Sequence, residues 1–463
     1  MLSTYHLTAV VASFKSRGFN EAPNNLTKLL SLTPALFTIS IFLFSVHSPN
    51  LYDSKRIIQI FFLLTITTTF IFSPLKISIY KIYFIIFLLT CAILSINNFN
   101  IETLLYLFHY IFLFSFIALG TKIEKELKTT FLSIFYLNLA LVSCSILNLS
   151  IYAFFESTVK ADDIIYGFNN IRFFNQFQVL SFPVLIYFLN NNRLSRIAFI
   201  ILLLNITLLF ITGARGAIIS CTTITLLSVN LRAISKEKVK TILKATLSAI
   251  ILFCLYSFFI ESNKTIGYTF RASSSSRIEI WVDLIRSLSV NELFLGNGIG
   301  SYINYNFGVR HPHNSFLQLV YELGAIPAFI IVGFVLRVIY RNIKKIRDGD
   351  VSEEHQTCLL ALISMLVLSF FSGVIVMPIP QTFVLIFLGV LISNSENTGS
   401  RNDTFFIGSC FLKVILTLTL IIYLASAFMT YKCKDDSFLG PNYWAHGQFS
   451  IEYCNFSFRT SND

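Results

Sequence analysis

The feature that most constrains the fold is a series of long apolar stretches that recurs along nearly the whole chain. Residues 84–96 and 197–210, for example, contain no charged side chain and do not alternate apolar with polar residues. Runs of roughly 18 or more apolar residues cross about 30 Å of hydrocarbon as helices, whereas membrane β-strands alternate over about 10 residues. Only 13% of the 463 residues are charged, against about a quarter in soluble domains. The sequence therefore predicts an all-α, polytopic transmembrane helical bundle.

Thirteen apolar segments are candidate spans. They are residues 29–46, 57–73, 79–97, 101–120, 131–155, 177–190, 196–212, 214–231, 243–260, 315–340, 358–376, 381–393 and 405–428. The segment 381–393 is short for a span, so the sequence predicts about 12–13 spans. The chain then divides into a leader (1–28), a transmembrane domain (29–428) and a C-terminal tail (429–463).

Basic residues in the connections between spans predict the orientation. Clusters of Lys and Arg at 122–128, 193–196, 232–240 and 341–347 fall in connections that alternate with the others. Because cytoplasmic loops carry an excess of Lys and Arg, these clusters are expected to face the cytoplasm. The leader is then cytoplasmic as well. The loops 156–176 and 261–314 and, with thirteen spans, the tail are periplasmic.

The expected location is accordingly the bacterial inner (cytoplasmic) membrane, with membrane lipids around the bundle. The net charge of +11 is spread over the loops instead of forming one soluble patch, which argues against a nucleic-acid partner. Cys433 and Cys454 lie in the tail, where an oxidising periplasm would permit a disulfide. The sequence leaves open whether they form one.

The predicted periplasmic loop 261–314 ends in the unusual sequence His-Pro-His-Asn, followed by an apolar segment. Pro312 disfavours helix at the residue before it, and Asn314 or Ser315 is a suitable N-cap for the following helix. His313 would then stand at the positive end of a long helix, where imidazolium is disfavoured. A positioned neutral imidazole is able to act as a general base. The simpler interpretation is an interfacial histidine without a role.

Arginines are frequent on the predicted periplasmic side, where the positive-inside bias predicts few. They are Arg172, Arg215, Arg271, Arg277 and Arg310. Guanidinium groups donate bidentate hydrogen bonds to phosphate oxygens, so several of them beside a helix N-terminus predict an anion site. Snorkelling at a span end is the simpler interpretation for Arg215, which stands between Gly213 and Gly216.

A neutral base beside an anion clamp is what a transferase with a lipid-diphosphate donor needs. The base accepts a proton from the acceptor hydroxyl, and the arginines stabilise the charge that grows on the departing diphosphate. No histidine and cysteine spacing is typical of a zinc site, and no cofactor is predicted. The Asp348-Gly-Asp350 sequence lies in a short cytoplasmic loop. The G-x-G-x-G sequence at 296–300 has no βαβ unit around it, so neither motif predicts nucleotide binding.

Several motifs resemble those of the O-antigen ligase and O-antigen polymerase superfamily, which are membrane glycosyltransferases of the GT-C type. These motifs are His313-Asn314 with Glu322 and Gly324 after it, Arg277-x-x-x-Trp281, the 296–300 turn and the 212–217 segment around Arg215. The similarity covers roughly residues 165–395. Ala214 and Pro327 depart from the family pattern, in which Ser and a second Gly are frequent.

The resemblance implies an inverting, metal-independent transfer of a glycan from undecaprenyl diphosphate to a sugar hydroxyl in the periplasm. His313 would correspond to the base, and Arg215 and Arg277 to the catalytic residues that contact the diphosphate. Further candidates for substrate binding are Arg172, Arg310, His311 and Asn314. His311 also leaves two histidines as candidates for the base.

Three activities of the superfamily share this chemistry and differ in the acceptor. A ligase transfers O-antigen to lipid A-core in lipopolysaccharide biosynthesis, a polymerase uses a lipid-linked repeat unit, and a protein oligosaccharyltransferase uses Ser or Thr. The His-Asn segment and the single large outer loop favour the ligase.

The alternative from another class is a lipid-glycan transporter or flippase, which predicts ionisable residues deep in the spans. Here most charged residues lie at span ends, with Glu322, Arg337 and His109 as exceptions. That asymmetry favours an enzyme with one outward-facing site.

Overall fold

The computed structural model describes residues 22–47, 51–72, 75–78, 101–155, 161–231, 233–259, 277–304, 311–349, 351–396, 404–407, 410–431 and 443–444. Nearly all of this part is helical. The exception is a two-stranded antiparallel ribbon formed by β1 (Leu75–Ser78) and β2 (Thr404–Ile407). The predicted helical-bundle class is therefore confirmed, with this ribbon as a small addition.

The helices are numbered in chain order. The first eight are α1 (Ala22–His47), α2 (Leu51–Phe72), α3 (Ile101–Ile123), α4 (Leu127–Phe155), α5 (Ala161–Ile164), α6 (Ile171–Phe188), α7 (Ser195–Ile211) and α8 (Arg215–Asn230). They are followed by α9 (Lys236–Phe259), α10 (Arg277–Ser287), α11 (Val290–Leu295), α12 (Ser315–Leu323), α13 (Ala325–Arg347), α14 (Glu353–Ser369), α15 (Pro378–Glu396) and α16 (Cys410–Thr430). Short 3₁₀ turns lie at Glu124–Glu126, Ser301–Asn304 and Val374–Val376.

Six helices of the described part are long and apolar enough to cross a membrane, namely α2, α3, α4, α9, α13 and α16. Shorter apolar helices lie within α1, α7 and α15. Large apolar side chains project outward from the long helices, and Phe154, Phe258 and Phe428 are 85%, 81% and 82% exposed. Such surfaces are stable in lipid and unfavourable in water. The protein is therefore a multi-pass membrane protein.

The loops that carry the basic clusters meet at one end of the bundle. There the buried Lys238 forms an ion pair with Glu353, and Nε2 of His355 lies 3.0 Å from Oε1 of Glu124. The starts of α6 and α12 meet elsewhere, through a contact between their flanking polar side chains.

Two facing glycines allow α3 and α15 to pack closely. A Cβ atom on Gly120 would lie 2.1 Å from the carbonyl oxygen of Ile386, and one on Gly389 would lie 2.1 Å from that of Ile117. Small residues let helix backbones approach each other in membrane bundles, where apolar side chains gain little by leaving lipid. This contact positions α15, which begins beside the functional site.

The structure corrects several predicted boundaries. The predicted span 315–340 is two helices, because Gly324 adopts φ +89° and ends α12 before α13 begins. Helix α1 begins at Ala22, inside the leader predicted for 1–28. Arg172, predicted in the loop 156–176, lies in the first turn of α6.

The predicted loop 261–314 contains helices α10 and α11, and the predicted span 358–376 ends at Ser369 with a turn after it. Other predictions fall outside the described residues. They are the span 79–97, Arg271, Arg310 and the pair Cys433 and Cys454.

Candidate active site

His313 stands at a sharp reversal of the chain directly before α12. Its φ of +55° is the one positive value at a residue other than glycine in the described part of the chain. Asn314 then takes an extended conformation as the N-cap, and its Oδ1 accepts from the backbone N–H groups of Phe316 and Leu317 at 3.0 and 3.1 Å. A left-handed conformation at a residue with a Cβ is unfavourable and is maintained by surrounding contacts. The sequence predicted Asn314 or Ser315 as the N-cap, and the structure shows that Asn314 caps the helix.

The ring of His313 is in contact with the guanidinium of Arg172. Nη1 of Arg172 lies 2.7 Å from Nε2 of His313 and 3.3 Å from Nδ1. Contacts with both ring nitrogens place Nη1 against the face of the imidazole, nearer to Nε2, and a guanidinium offers only N–H donors. A positive charge this close to the ring disfavours the imidazolium, so the contact favours a neutral His313.

His311 packs against His313 and is also uncharged. The two ring centroids are 4.2 Å apart at an interplanar angle of 88°, and the backbone N–H of His313 donates to Nδ1 of His311 at 3.3 Å. Burial, with the positive charges of Arg172 and Arg277, lowers the pKa of His311 to about 3. Burial, His311 and the same two arginines hold the pKa of His313 well below its ordinary value.

This result corrects the physical reason given for neutral His313. The sequence attributed it to the field of a long helix, but α12 has only nine residues. His313 is 9% exposed and His311 is 5% exposed. Removal of the imidazolium from water, beside fixed positive charges, is the larger effect.

Arg277 and Arg215 complete a cationic group around the histidines. Both side chains are half-buried. Burial, together with the charges of Arg172 and Arg215, lowers the pKa of Arg277 to about 10. Within the described residues, Nε of Arg277 is buried without a hydrogen-bond partner, and no carboxylate forms an ion pair with Arg172 or Arg277. Three like charges held close together favour binding of an anion.

Several helices bring these cations together. Arg215 begins α8 after Gly213, which has φ +62°. The hydroxyl of Thr212 donates to Oδ1 of Asn175 at 3.3 Å, which ties this turn to α6 three residues after Arg172. Residues three apart share one face of a helix, so the two arginines lie on the same side of the bundle.

Trp281 connects α10 to the histidine segment. Its Nε1–H donates to the carbonyl oxygen of Pro312 at 2.8 Å. Arg277 lies four residues earlier, one turn away on the same helix face. The sequence motif Arg277-x-x-x-Trp281 therefore has a structural reason, because the tryptophan orients the helix that carries the arginine.

The turn at residues 372–376 also borders the site, and the sequence analysis did not identify it. Ser315 donates from Oγ to the carbonyl oxygen of Ser372 at 2.9 Å, and Gln176 donates from Nε2 to Oγ of Ser372 at 2.6 Å. A Cβ atom on Gly373 would lie 3.0 Å from Nδ1 of His311. The available signal was the presence of Gln176 and Ser372 in otherwise apolar segments.

The structure thus places Arg172, Arg215, Arg277, His311, His313 and Asn314 in one region, with Arg310 outside the described residues. In the part of the chain that the structure describes, no group of three or more His, Cys, Asp or Glu side chains is arranged to hold a metal ion. The region offers two chemical capacities, which are a neutral imidazole base and a concentration of guanidinium donors. No model of a known protein family matches the chain, and no curated protein matches it.

Proposed function

We propose that the protein is a membrane glycosyltransferase that moves a glycan from a polyprenyl diphosphate, such as undecaprenyl diphosphate, to a sugar hydroxyl. The observation that carries the proposal is the contact of Arg172 with Nε2 of a buried, neutral His313, with the positive charge of Arg277 beside them. A site of this kind needs an anionic ligand and holds a base that remains unprotonated near neutral pH.

The reaction has three linked events. Nε2 of His313 accepts the proton of the acceptor hydroxyl while that oxygen forms a bond with the anomeric carbon of the glycan. The bond from the anomeric carbon to the diphosphate oxygen breaks, and its electron pair leaves with the diphosphate. Arg172, Arg215 and Arg277 offset the charge that develops there, which is the strongest contribution available from preorganised donors.

Arg172 has to change partner for this reaction to proceed. Its Nη1 lies against the imidazole ring, 2.7 Å from the nitrogen that would accept the proton, and its positive charge opposes protonation there. A diphosphate offers charged oxygens, which bind guanidinium more strongly than a neutral imidazole does. Binding of the donor would therefore draw Arg172 to the phosphate and free His313 for the acceptor. This competition implies that the donor binds before His313 activates the acceptor hydroxyl.

The acceptor and the location are part of the same proposal. The basic clusters of the opposite face favour an inner-membrane protein with its site toward the periplasm. Among the possible acceptors, we favour lipid A-core, which makes the protein an O-antigen ligase, with the O-antigen polymerase as the alternative. A lipid-glycan flippase is the competing function from a different class.

A gel of lipopolysaccharide separates these functions. A deletion strain is complemented with wild type, His313→Ala or Arg215→Ala, with His355→Ala at the opposite end of the bundle as the matched control. Bare core with accumulated lipid-linked polymer supports a ligase, and core with a single repeat unit supports a polymerase. Restoration of the full ladder by normally expressed His313→Ala would contradict the catalytic proposal.

A further inference from the structure

Arg56 is a buried cation in α2, a helix long and apolar enough to cross the membrane. The side chain is 2% exposed. Ionisable residues at such positions are unfavourable by a few kcal/mol and are retained where they have a function. The proposed reaction does not use Arg56, so its role requires a separate explanation.

Neutral groups of several helices satisfy the guanidinium of Arg56. Its hydrogen-bonding contacts are Oε1 of Gln59 (2.6 Å), Oε1 of Gln381 (3.1 Å), Nε2 of His109 (3.2 Å), OH of Tyr52 (3.0 Å), the carbonyl oxygen of Tyr443 (3.2 Å) and the carbonyl oxygen of Val376. The guanidinium also lies 5.0 Å from the ring centroid of Tyr443. A fully bonded guanidinium fixes the relative positions of all its partners.

Two of the fixed groups are consecutive carbonyls of the turn 372–376. The carbonyl oxygen of Val376 accepts from Arg56 and also from the hydroxyl of Tyr52 at 2.8 Å. The carbonyl oxygen of Ile375 accepts from Nε2 of Gln381 at 2.8 Å, and Oε1 of the same amide accepts from Arg56. Arg56 therefore holds this turn directly and through one side chain.

The other side of the turn faces the candidate active site. The backbone N–H of Ile375 lies 3.4 Å from Oγ of Ser315, the residue after the N-cap Asn314. Gly373 lies against the ring of His311, which packs edge-to-face against His313. A displacement of the turn would consequently move the segment His311–Ser315.

The C-terminal tail completes the support. Besides accepting from Arg56, Tyr443 has its hydroxyl 2.8 Å from that of Tyr423, which lies 2.9 Å from Nδ1 of His109. Trp444 donates from Nε1 to the hydroxyl of Thr430 at 3.2 Å. Both tail residues are buried, Tyr443 at 4% and Trp444 at 3% exposure. This part of the tail is a structural component of the bundle.

We propose that Arg56 is a positioning residue for the active site, acting through the turn 372–376 on the His311–Ser315 segment, and that Tyr443 of the C-terminal tail holds Arg56 in place. The inference rests on the proposed glycosyl transfer. It gives Arg56 in α2 and Tyr443 in the tail a supporting role in catalysis, although both lie far from His313 in the sequence.

The first test compares kcat and KM of Arg56→Gln and wild type. The full chain is reconstituted in lipid nanodiscs with a synthetic undecaprenyl-diphosphate glycan as donor and lipid A-core as acceptor. A displacement near 1 Å at reacting groups lowers rates by about 100-fold, so we expect kcat to fall by that order. The KM for the donor should change less than about threefold, because the turn contacts His311 and Ser315 and not the side chains of the three arginines that bind the donor in the proposed reaction. Lys238→Gln is the matched control, since it removes another buried cation at the opposite end of the bundle.

The second variant, Gln381→Glu, keeps the contact with Arg56 and breaks one link of the network. A carboxylate at this position still accepts from Arg56, but it has no N–H to donate to the carbonyl oxygen of Ile375. We expect an unchanged thermal midpoint and a kcat reduced by about tenfold, consistent with a smaller displacement. Tyr443→Ala, which removes the ring beside Arg56, should lower kcat in the same direction.

The outcomes distinguish the two proposals. Wild type that transfers no glycan to lipid A-core or, in a parallel assay, to a lipid-linked repeat unit contradicts the proposed function. Active wild type together with Gln381→Glu and Tyr443→Ala at wild-type kcat overturns the positioning role of Arg56. A rise in donor KM at constant kcat also overturns it, because that result assigns the network to binding instead of to placement of the base.

Discussion

Nη1 of Arg172 lies 2.7 Å from Nε2 of His313, so a positive charge stands against the nitrogen that would accept a proton in the proposed reaction. The availability of that nitrogen therefore depends on what else Arg172 binds. Asp162 interacts electrostatically with Arg172, and its Oδ1 already accepts from the backbone N–H of Ile171 at 3.0 Å.

Replacement of Arg172 is expected to expose Nε2 of His313 to chemical modification. In wild type without ligand, diethyl pyrocarbonate should acylate His313 slowly, because the reagent needs a free imidazole lone pair. Arg172→Gln should raise this rate by about tenfold, equivalent to loss of a contact worth about 1.4 kcal/mol. Inorganic diphosphate should raise the wild-type rate if it recruits the arginine. Mass spectrometry of the His313 peptide measures the rates, with Arg193→Gln as the control. Equal rates for wild type and Arg172→Gln would contradict the contact.

The two histidines are expected to differ in their kinetic effects. His313→Gln removes the base and should lower kcat by about 100-fold to 10,000-fold, the usual contribution of general base catalysis. His311→Gln leaves Nε2 of His313 in place and removes the ring that packs edge-to-face against it, so we expect a loss of about tenfold or less. His355→Gln at the opposite end is the control. If His311→Gln were the more damaging substitution at equal expression, His311 would be the base.

The positions of the helices followed from the sequence because length and apolar content are sufficient to predict a membrane helix. The stretch 101–120 is an example, and α3 covers it. The break at Gly324 did not follow, since apolar residues continue on both sides of it. Only the φ of +89° and the approach of Phe294 reveal the separate helices α12 and α13.

The candidate site was predictable where residue type alone implies chemistry, as for His313, Arg215 and Arg277. The supporting turn 372–376 was not predictable, because its function depends on backbone carbonyls that have no sequence signature. Arg56 illustrates the intermediate case. A cation at the edge of an apolar segment looks like an ordinary span end, and the multiple partners that define it come from distant parts of the chain.

The buried histidines predict that stability decreases with acid. The pKa of His311 is about 3 in the folded protein, against an ordinary value of 6.5. The unfolded chain therefore binds more protons below pH 6.5, and the folded state loses about 1.4 kcal/mol for each pH unit as pH falls from 6.5 toward 3. The thermal midpoint should drop between pH 7.5 and pH 5, and less steeply for His311→Gln. Thr207→Val, the control, removes a hydroxyl that donates to the backbone carbonyl of Leu203, so it should shift the midpoint equally at both pH values. If the thermal midpoint of His311→Gln fell with pH as steeply as that of wild type, His311 would be exposed to water and not buried.

The contact between Gly296 and Gly324 joins α11 to the break between α12 and α13. Gly296 has φ +79° and ψ +170°, and Gly324 has φ +89° and ψ +162°, a region that is almost confined to glycine. A Cβ atom at Gly324 would lie 2.1 Å from the carbonyl oxygen of Phe294, and one at Gly296 would lie 2.4 Å from that of Glu322. Neither position can accept a side chain without movement of the backbone.

Alanine at either glycine is expected to destabilise the protein by at least about 1–3 kcal/mol, the usual range for a strained backbone conformation. The thermal midpoint and the transferase rate should both fall, because α12 begins at the catalytic segment. Gly333→Ala is the matched control, since a Cβ atom there meets nothing within 4 Å and the position is inside helix α13. It should keep or raise the free energy of unfolding, by up to about 1 kcal/mol from helix propensity, and the midpoint should follow. The double variant Gly296→Ala/Gly324→Ala should lose less than the sum of the single losses, because one substitution already separates the two segments. If the loss in the double variant equalled the sum of the two single losses, the two glycines would not share one contact.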